Sequence, residues 1–189
     1  MKNIFILIGP SGSGKTTVAK LMKEKYGAIE FVSDTTRLPR IGESHGKDYY
    51  FDTEEEFDHL RKDGELLEES FYAGNYYGLT KKSIYAALDK SNICVAVLDR
   101  NGAFAISKLF EENEEVKVRF VFVHARISTL YLRMVERGDK PEKIAERLQN
   151  IFDQKELTQS YFCDFTIFND DTLSKTEHVL DCYMKRLNL

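Results

Sequence analysis

The chain has 189 residues, 42% of them hydrophobic and 31% charged, with a formal net charge of −4. That length supports one well-buried core rather than two, and the acidic balance argues against the broad basic surface that tracks a nucleic-acid polymer. Three cysteines, Cys94, Cys163 and Cys182, stand far apart with no CxxC pattern or histidine-rich partner, which argues against a disulfide framework or a zinc site and fits a reducing, cytoplasmic setting.

In chain order, the first element is NIFILIG (3–9), a continuous β-rich apolar run of the kind buried on both faces of a sheet. It is too short for a signal peptide or a membrane span, so no membrane partner is expected. GKTTVAKLMKEKYG (14–27) then has helical periodicity. Further strand-like runs are NICVAVLD (92–99), VKVRFVFVHA (116–125) and CDFTIFN (163–169). Between and after them come helix-period stretches at 102–113, 128–138, 140–161 and 171–188. Strands alternating with helices predict a parallel sheet covered on both faces. Residues 33–88 break this rhythm: KDYYFDT, TEEEFDHLRKDG with Thr53 and Glu56 at capping-box spacing, GELLEESFYAGNYYG and TKKSIYAALDK. Short strands with helices, rich in tyrosine and charge, predict an inserted lobe suited to a second substrate.

Gly9-Pro10-Ser11-Gly12-Ser13-Gly14-Lys15-Thr16 satisfies G-x-x-x-x-G-K-[ST] at every defined position, between a predicted strand and a predicted helix. Such a P-loop turns backbone N–H groups inward around a polyphosphate, and the helix that follows adds its unpaired N-terminal donors. Lys15 is expected to reach the β- and γ-phosphates, the Thr16 hydroxyl to ligate Mg²⁺, and Thr17 to adjoin the same cradle. A P-loop by itself leaves kinase, hydrolase and switch open.

In SDTTRLPRIGESHGKDYYF, Arg37 and Arg40 flank Leu38-Pro39, and Pro39 disfavours helix before it. Two guanidinium forks on a non-helical loop suit one small anion, because their planar donors match phosphate oxygens bidentately.

GPSGSGKTT, SDTTRLPR, IGE, GKDYYF, GELLEES and GNYYG, in that order and at those separations, resemble the guanylate kinases, which move the γ-phosphoryl group of ATP onto GMP. The similarity continues through VLDRNGA, LRMVERGD, ERL and FTIFNDD, over nearly the whole chain. It implies a P-loop NTPase three-layer α/β/α fold with a parallel central sheet (core about 1–32 and 89–189), an inserted mixed α+β nucleoside-monophosphate-binding lobe (about 33–88) and a helical lid (about 133–147). Carried over by position, Arg37, Arg40, Tyr49 and Tyr77 hold the acceptor's phosphate, Ser33 and Glu68 read the guanine, and Asp99 lies near the acceptor nucleotide. Arg133, Arg137 and Arg147 belong to the lid over the ATP phosphates, and Asn169 lies near the adenine. The implied partners are ATP and GMP with Mg²⁺, the protein acting as a monomer or homodimer. No serine, cysteine or histidine nucleophile is required, because the acceptor phosphate attacks directly.

Three positions depart from the family pattern. Leu79 follows GNYYG where the family has Ser or Thr, with Thr80 next to it, and Val97 and Asn101 replace an acid and a glutamine. The lid is about one residue shorter between Gly138 and Arg147. Loss of one base hydrogen bond costs about 1–3 kcal/mol if it leaves a buried polar group unpaired. These departures motivate two further readings: a phosphokinase for another acceptor, such as a ribose bisphosphate, and a non-catalytic binding module.

Overall fold

The computed structural model describes residues 1–40, 42–72 and 74–189, without the side chain of Tyr72. The elements are β1 (Lys2–Ile8), α1 (Lys15–Tyr26), β2 (Ile29–Glu30), β3 (Asp34–Thr35), β4 (Tyr50–Phe51), α2 (Glu54–Lys62), β5 (Leu66–Tyr72), β6 (Asn75–Thr80) and α3 (Lys81–Lys90). They continue with β7 (Ile93–Val97), α4 (Arg100–Leu109), β8 (Val116–His124), α5 (Ile127–Glu136), α6 (Pro141–Asp153), a 3-10 helix (Glu156–Phe162), β9 (Phe165–Phe168) and α7 (Leu173–Arg186). One sheet has the order β2-β7-β1-β8-β9, with β2–β7 and β8–β9 parallel. Helices flank this sheet, as the alternating pattern predicts, and Ile4 to Ile8 of β1 are at most 1% exposed. A second, mixed sheet has the order β4-β3-β6-β5.

The chain divides into two compact units. The first comprises Met1–Ile4, Ala28–Val95 and Arg100–Val118 and contains the mixed sheet. Its hairpin pairs β5 with β6 antiparallel, setting Glu68 opposite Leu79 and Ser70 opposite Tyr77. The capping box on α2 is present: Glu56 N–H donates to Thr53 Oγ1 at 3.2 Å, and Thr53 N–H donates to Glu56 Oε2 at 2.8 Å. From α2, the buried Phe57 ring stacks on Tyr76, and the Arg61 guanidinium lies 4.7 Å from the centre of the Tyr76 ring. Within KDYYFDT, Tyr50–Phe51 pairs parallel to β3, and Tyr49 makes an isolated parallel bridge with His45.

The second unit comprises Phe5–Gly27, Ala96–Asp99 and Arg119–Leu189. Tyr183 of α7 stacks on Phe165 at 4.0 Å and meets Phe5 edge-on at 6.2 Å. Lys25 of α1 donates to Glu177 and Asp181 of α7 at 2.8 Å, tying the two helices together. Ala125, Leu130, Met134, Ile144 and Ile151 form a cluster between α5 and α6. The helical periodicity over 140–161 predicts one helix, but α6 ends at Asp153 and the chain turns through Lys155 at φ 50 into the 3-10 helix. No proline or glycine marks that turn. It is set by packing, because the reversal brings Leu157 against the same cluster as Ile144 and Ile151.

One polar pair in the mixed sheet is unusual. Asp34 is 6% exposed, and its Oδ2 and that of Asp52 are buried with no N–H or O–H donor among the described residues. Two neighbouring buried carboxyl groups disfavour both carrying charge, which favours a proton on the pair. Burial, then the charge of Asp52 and a hydrogen bond to it, push Asp34 up to about 7. A carboxyl group raised in this way binds its proton in the folded state between its ordinary pKa and about 7, so stability falls as pH rises through that window. Asp34→Asn supplies an N–H donor and removes the titration. Its melting temperature should exceed that of the wild type by several degrees more at pH 8 than at pH 5, on the scale of roughly 2–4 °C per kcal/mol. Thermal melts across pH test this, and an equal gap at both pH values would refute the shared proton.

Candidate nucleotide-binding site

The P-loop lies in the second unit and runs from the end of β1 into α1. Gly9, Gly12 and Gly14 all have positive φ, at 145°, 83° and 96°. A Cβ on Gly9 would overlap the Val123 carbonyl oxygen, and one on Gly14 would overlap the Asn169 side chain. Glycine is therefore required at both by conformation and by space. Lys15 Nζ donates to the Gly9 and Pro10 carbonyls at 2.6 and 3.0 Å, folding back along the loop. Burial pushes Lys15 down to about 8, and Glu156 of the 3-10 helix acts in the opposite direction. Thr16 and Thr17 are exposed on the first turn of α1.

Around this loop lies a cavity of about 460 Å³ lined by Ser11, Gly12, Gly14, Lys15, Thr16, Thr17, Arg133, Arg137 and Asn169, with Asp171 and Leu173 of the following turn. Ser13 is fully buried and its hydroxyl has no partner among the described residues. A glycine cradle that no side chain can fill, a half-buried lysine and an orphaned hydroxyl fit a polyphosphate group.

The predicted lid arginines fall into two groups. Arg133 donates to the Gly12, Ser13 and Asn169 carbonyls at 3.3, 3.2 and 2.8 Å, and Arg147 donates to Ser11 Oγ at 2.6 Å. Both brace the loop. Arg137 is exposed, lines the cavity and pairs with Asp139. Asn169, expected near the adenine, lines the cavity too, but its amide is engaged at both ends: Nδ2 donates to the Ser13 carbonyl and Oδ1 accepts from Thr176 Oγ1, each at 2.7 Å. Thr176 was not indicated by the sequence, since one threonine on an amphipathic helix carries no signal. Asp99 is exposed in the same unit, next in the chain to α4.

The other predicted residues lie in the first unit. Arg37 makes a two-pronged pair with Glu43, Nη1 to Oε2 and Nη2 to Oε1, both at 3.0 Å. Its guanidinium carbon lies 5.4 Å from the centre of the Tyr49 ring, and Tyr49 meets Tyr77 at 6.1 Å. Arg37, Tyr49 and Tyr77 therefore come together as expected. The Arg40 side chain is exposed, while its backbone N–H donates to Glu43 Oε2 at 2.7 Å. Glu43, overlooked as a site residue, organises this loop, and Arg37 holds its carboxyl below the usual range. The adjacency of IGE to the arginines was the available signal.

Ser33 and Glu68 are half-buried. Leu79 is fully buried opposite Glu68, and the Thr80 hydroxyl accepts from Ser83 N–H at 3.3 Å as the cap of α3. Thr80 thus takes a structural place instead of standing in for the family's hydroxyl.

A parallel α/β core with a braced P-loop, together with an arginine-tyrosine cluster in an inserted mixed sheet, defines a P-loop nucleotide-binding protein. The family model for guanylate kinase matches residues 1–186. A guanylate kinase from Wolbachia pipientis wMel is 37% identical over 93% of this chain and 86% of its own length, and one from Oceanobacillus iheyensis is 34% identical over 94% and 82%. The crystal structure of guanylate kinase from Anaplasma phagocytophilum superposes with a TM-score of 0.65 at 29% identity, covering 99% of this chain and 85% of that one. The chain belongs to the guanylate kinase family.

Gly14→Ala should lower stability by about 1–3 kcal/mol through backbone strain and contact with Asn169. It should also abolish the rise in melting temperature that inorganic tripolyphosphate gives the wild type. Melts with and without tripolyphosphate measure both effects.

Proposed function

We propose that this chain transfers the γ-phosphoryl group of ATP to GMP, giving ADP and GDP. The observation that carries the reading is the Arg37–Tyr49–Tyr77 cluster in a chain that also has a complete phosphate cradle. A guanidinium and two phenols suit the dianionic phosphate of a mononucleotide, and the cradle suits a triphosphate.

In the proposed reaction, an oxygen of the GMP phosphate attacks the γ-phosphorus in line as the bond to the β–γ bridging oxygen breaks, and ADP leaves with that electron pair. The chain's residues need supply no covalent intermediate. They position the groups, offset charge and exclude water. Arg37, with Arg40, Tyr49 and Tyr77, holds the acceptor phosphate. Lys15 leaves its contacts with the Gly9 and Pro10 carbonyls for the β- and γ-phosphates. Arg137 moves from Asp139 onto the transferring group, while Arg133 and Arg147 keep the loop in shape. The role assigned to Asp99 in this reading is a contact with the acceptor nucleotide.

Mg²⁺ fits this site through the exposed Thr16 hydroxyl. In this reading the ion would be held by Thr16 and the nucleotide's own oxygens. When bound, it neutralises charge on the β- and γ-phosphates.

Base choice rests on Ser33 and Glu68. A carboxylate accepts from both N1–H and the 2-amino group of guanine, a donor pair that adenine lacks. Because Leu79 is buried and Thr80 caps α3, neither adds a hydroxyl. No helix among the described residues is long and apolar enough to cross a membrane. Burial holds the free thiols of Cys94 and Cys163 up to about 11 and about 12, which keeps them protonated and unreactive.

The test is ADP release with ATP and Mg²⁺ against GMP, dGMP, AMP, UMP, CMP and ribose phosphates. Preference for GMP and dGMP supports the reading, and equal turnover of ribose phosphates would overturn the role of Glu68. Lys15→Ala should reduce kcat by roughly 10²–10³-fold while leaving GMP binding intact. Arg37→Lys keeps the charge but loses the fork, so the KM for GMP should rise about tenfold, with a smaller change in the KM for ATP. Steady-state kinetics in both substrates separate the two.

A further inference from the structure

We infer that Thr176 is a positioning residue for the donor-phosphate loop, acting through Asn169. This rests on the reading of residues 9–16 as the ATP-phosphate cradle.

Thr176 lies on α7 at 1% exposure, Asn169 is 5% exposed and Ser13 is fully buried, so solvent does not compete for this chain of contacts. The Thr176 hydroxyl donates to Asn169 Oδ1 at 2.7 Å, and Asn169 Nδ2 donates to the Ser13 carbonyl at 2.7 Å. A primary amide has one accepting and one donating end, and its two orientations are close in shape. The Ser13 carbonyl can only accept and therefore selects Nδ2, and the Thr176 hydroxyl, which can donate or accept, supplies the proton that the remaining end, Oδ1, requires.

The consequence reaches the ligand through the planarity of the peptide. In a trans peptide the carbonyl and the following N–H point to opposite sides. Holding the Ser13 carbonyl toward Asn169 therefore turns the Gly14 N–H the other way. Arg133 Nη1 pulls on the same carbonyl at 3.2 Å, so two donors from distant parts of the chain share this one acceptor. Thr176 itself is well anchored, because α7 is held to α1 by Lys25 through Glu177 and Asp181.

A threonine hydroxyl inside a helix usually bonds to a carbonyl one turn back or faces solvent. Here it does neither job for α7: the carbonyl of Thr172 already accepts the Thr176 backbone N–H at 3.3 Å, and the side-chain proton goes to Asn169. Replacing the hydroxyl by a methyl leaves Asn169 Oδ1 buried without its donor, and rotation of the amide to recover one would set oxygen against the Ser13 carbonyl oxygen.

The experiment compares wild type, Thr176→Val, Thr176→Ala and Thr176→Ser by ADP and ATP affinity in calorimetry, by KM for each substrate and by melting temperature. Thr176→Val keeps shape and removes the proton, and Thr176→Ala removes it without added bulk should the valine fail to fold. In both, the Kd for ADP and the KM for ATP should rise about tenfold, the free-energy scale of one buried polar partner. The KM for GMP should stay within twofold, and Thr176→Ser should restore wild-type donor affinity. Unchanged donor affinity in folded Val and Ala variants overturns the inference, as does a parallel rise in both KM values that tracks lost melting temperature. Wild-type protein that binds no ADP or ATP overturns both this inference and the phosphotransfer reading, whereas the preceding outcomes leave that reading standing.

Discussion

A phosphate cradle made of backbone has to turn its peptide carbonyls outward, into protein, if its N–H groups are to turn inward. Those outward carbonyls then need donors, because an unpaired buried carbonyl costs as much as a lost hydrogen bond. In this chain the donors come from far along the sequence. Arg133 serves Gly12 and Ser13, Asn169 serves Ser13, and Arg147 reaches the Ser11 hydroxyl. Residues expected to touch the nucleotide are thus first engaged in shaping the loop that will hold it, and Gly14 is the position where this bracing leaves no room for a side chain.

The same economy governs charge. With a net charge of −4 the chain has no surplus of cations to concentrate in one place, and its site cations have nearby acidic partners. Arg37 is matched by Glu43 and Arg137 by Asp139, which also lies 3.9 Å from Arg147, while Glu156 offsets part of the burial penalty on Lys15. Such pairs pre-orient the guanidinium groups and limit repulsion, at the cost that an arriving phosphate must offer more than the carboxylate it displaces. A dianion with three oxygens in fork geometry can do so for arginine.

The mixed sheet shows how one residue's local duty removes it from the site. Leu79 and Thr80 are neighbours in β6, and alternation puts their side chains on opposite faces. Leu79 enters the core and Thr80 caps α3, so the base-reading duty is left to Ser33 and Glu68. Asp34 illustrates the converse, an acidic residue beside Ser33 that is buried beside Asp52 on a strand only two residues long.

Much of this was legible in the order of residues. The P-loop, the main strands and the capping box on α2 follow from short-range pattern, or from motifs whose chemistry tolerates few alternatives, and the grouping of Arg37 with Tyr49 and Tyr77 followed from the resemblance to the guanylate kinases. What was not legible depends on which side chains meet in space, whether their residues are near or far in the chain. The break after Asp153 has no proline or glycine to announce it and follows from where Leu157 packs. The bracing role of Arg133, the partnership of Glu43 with Arg37 and the link from Thr176 to Asn169 depend on which side chains meet in space. The sequence by itself determined the kind of chemistry, because backbone N–H groups that cradle phosphate require glycine and lysine at set spacing. Only the tertiary structure decided which arginine braces, which remains exposed and which amide holds the loop, because a hydrogen bond is set by distance and direction between atoms, here in residues that the sequence leaves more than a hundred positions apart.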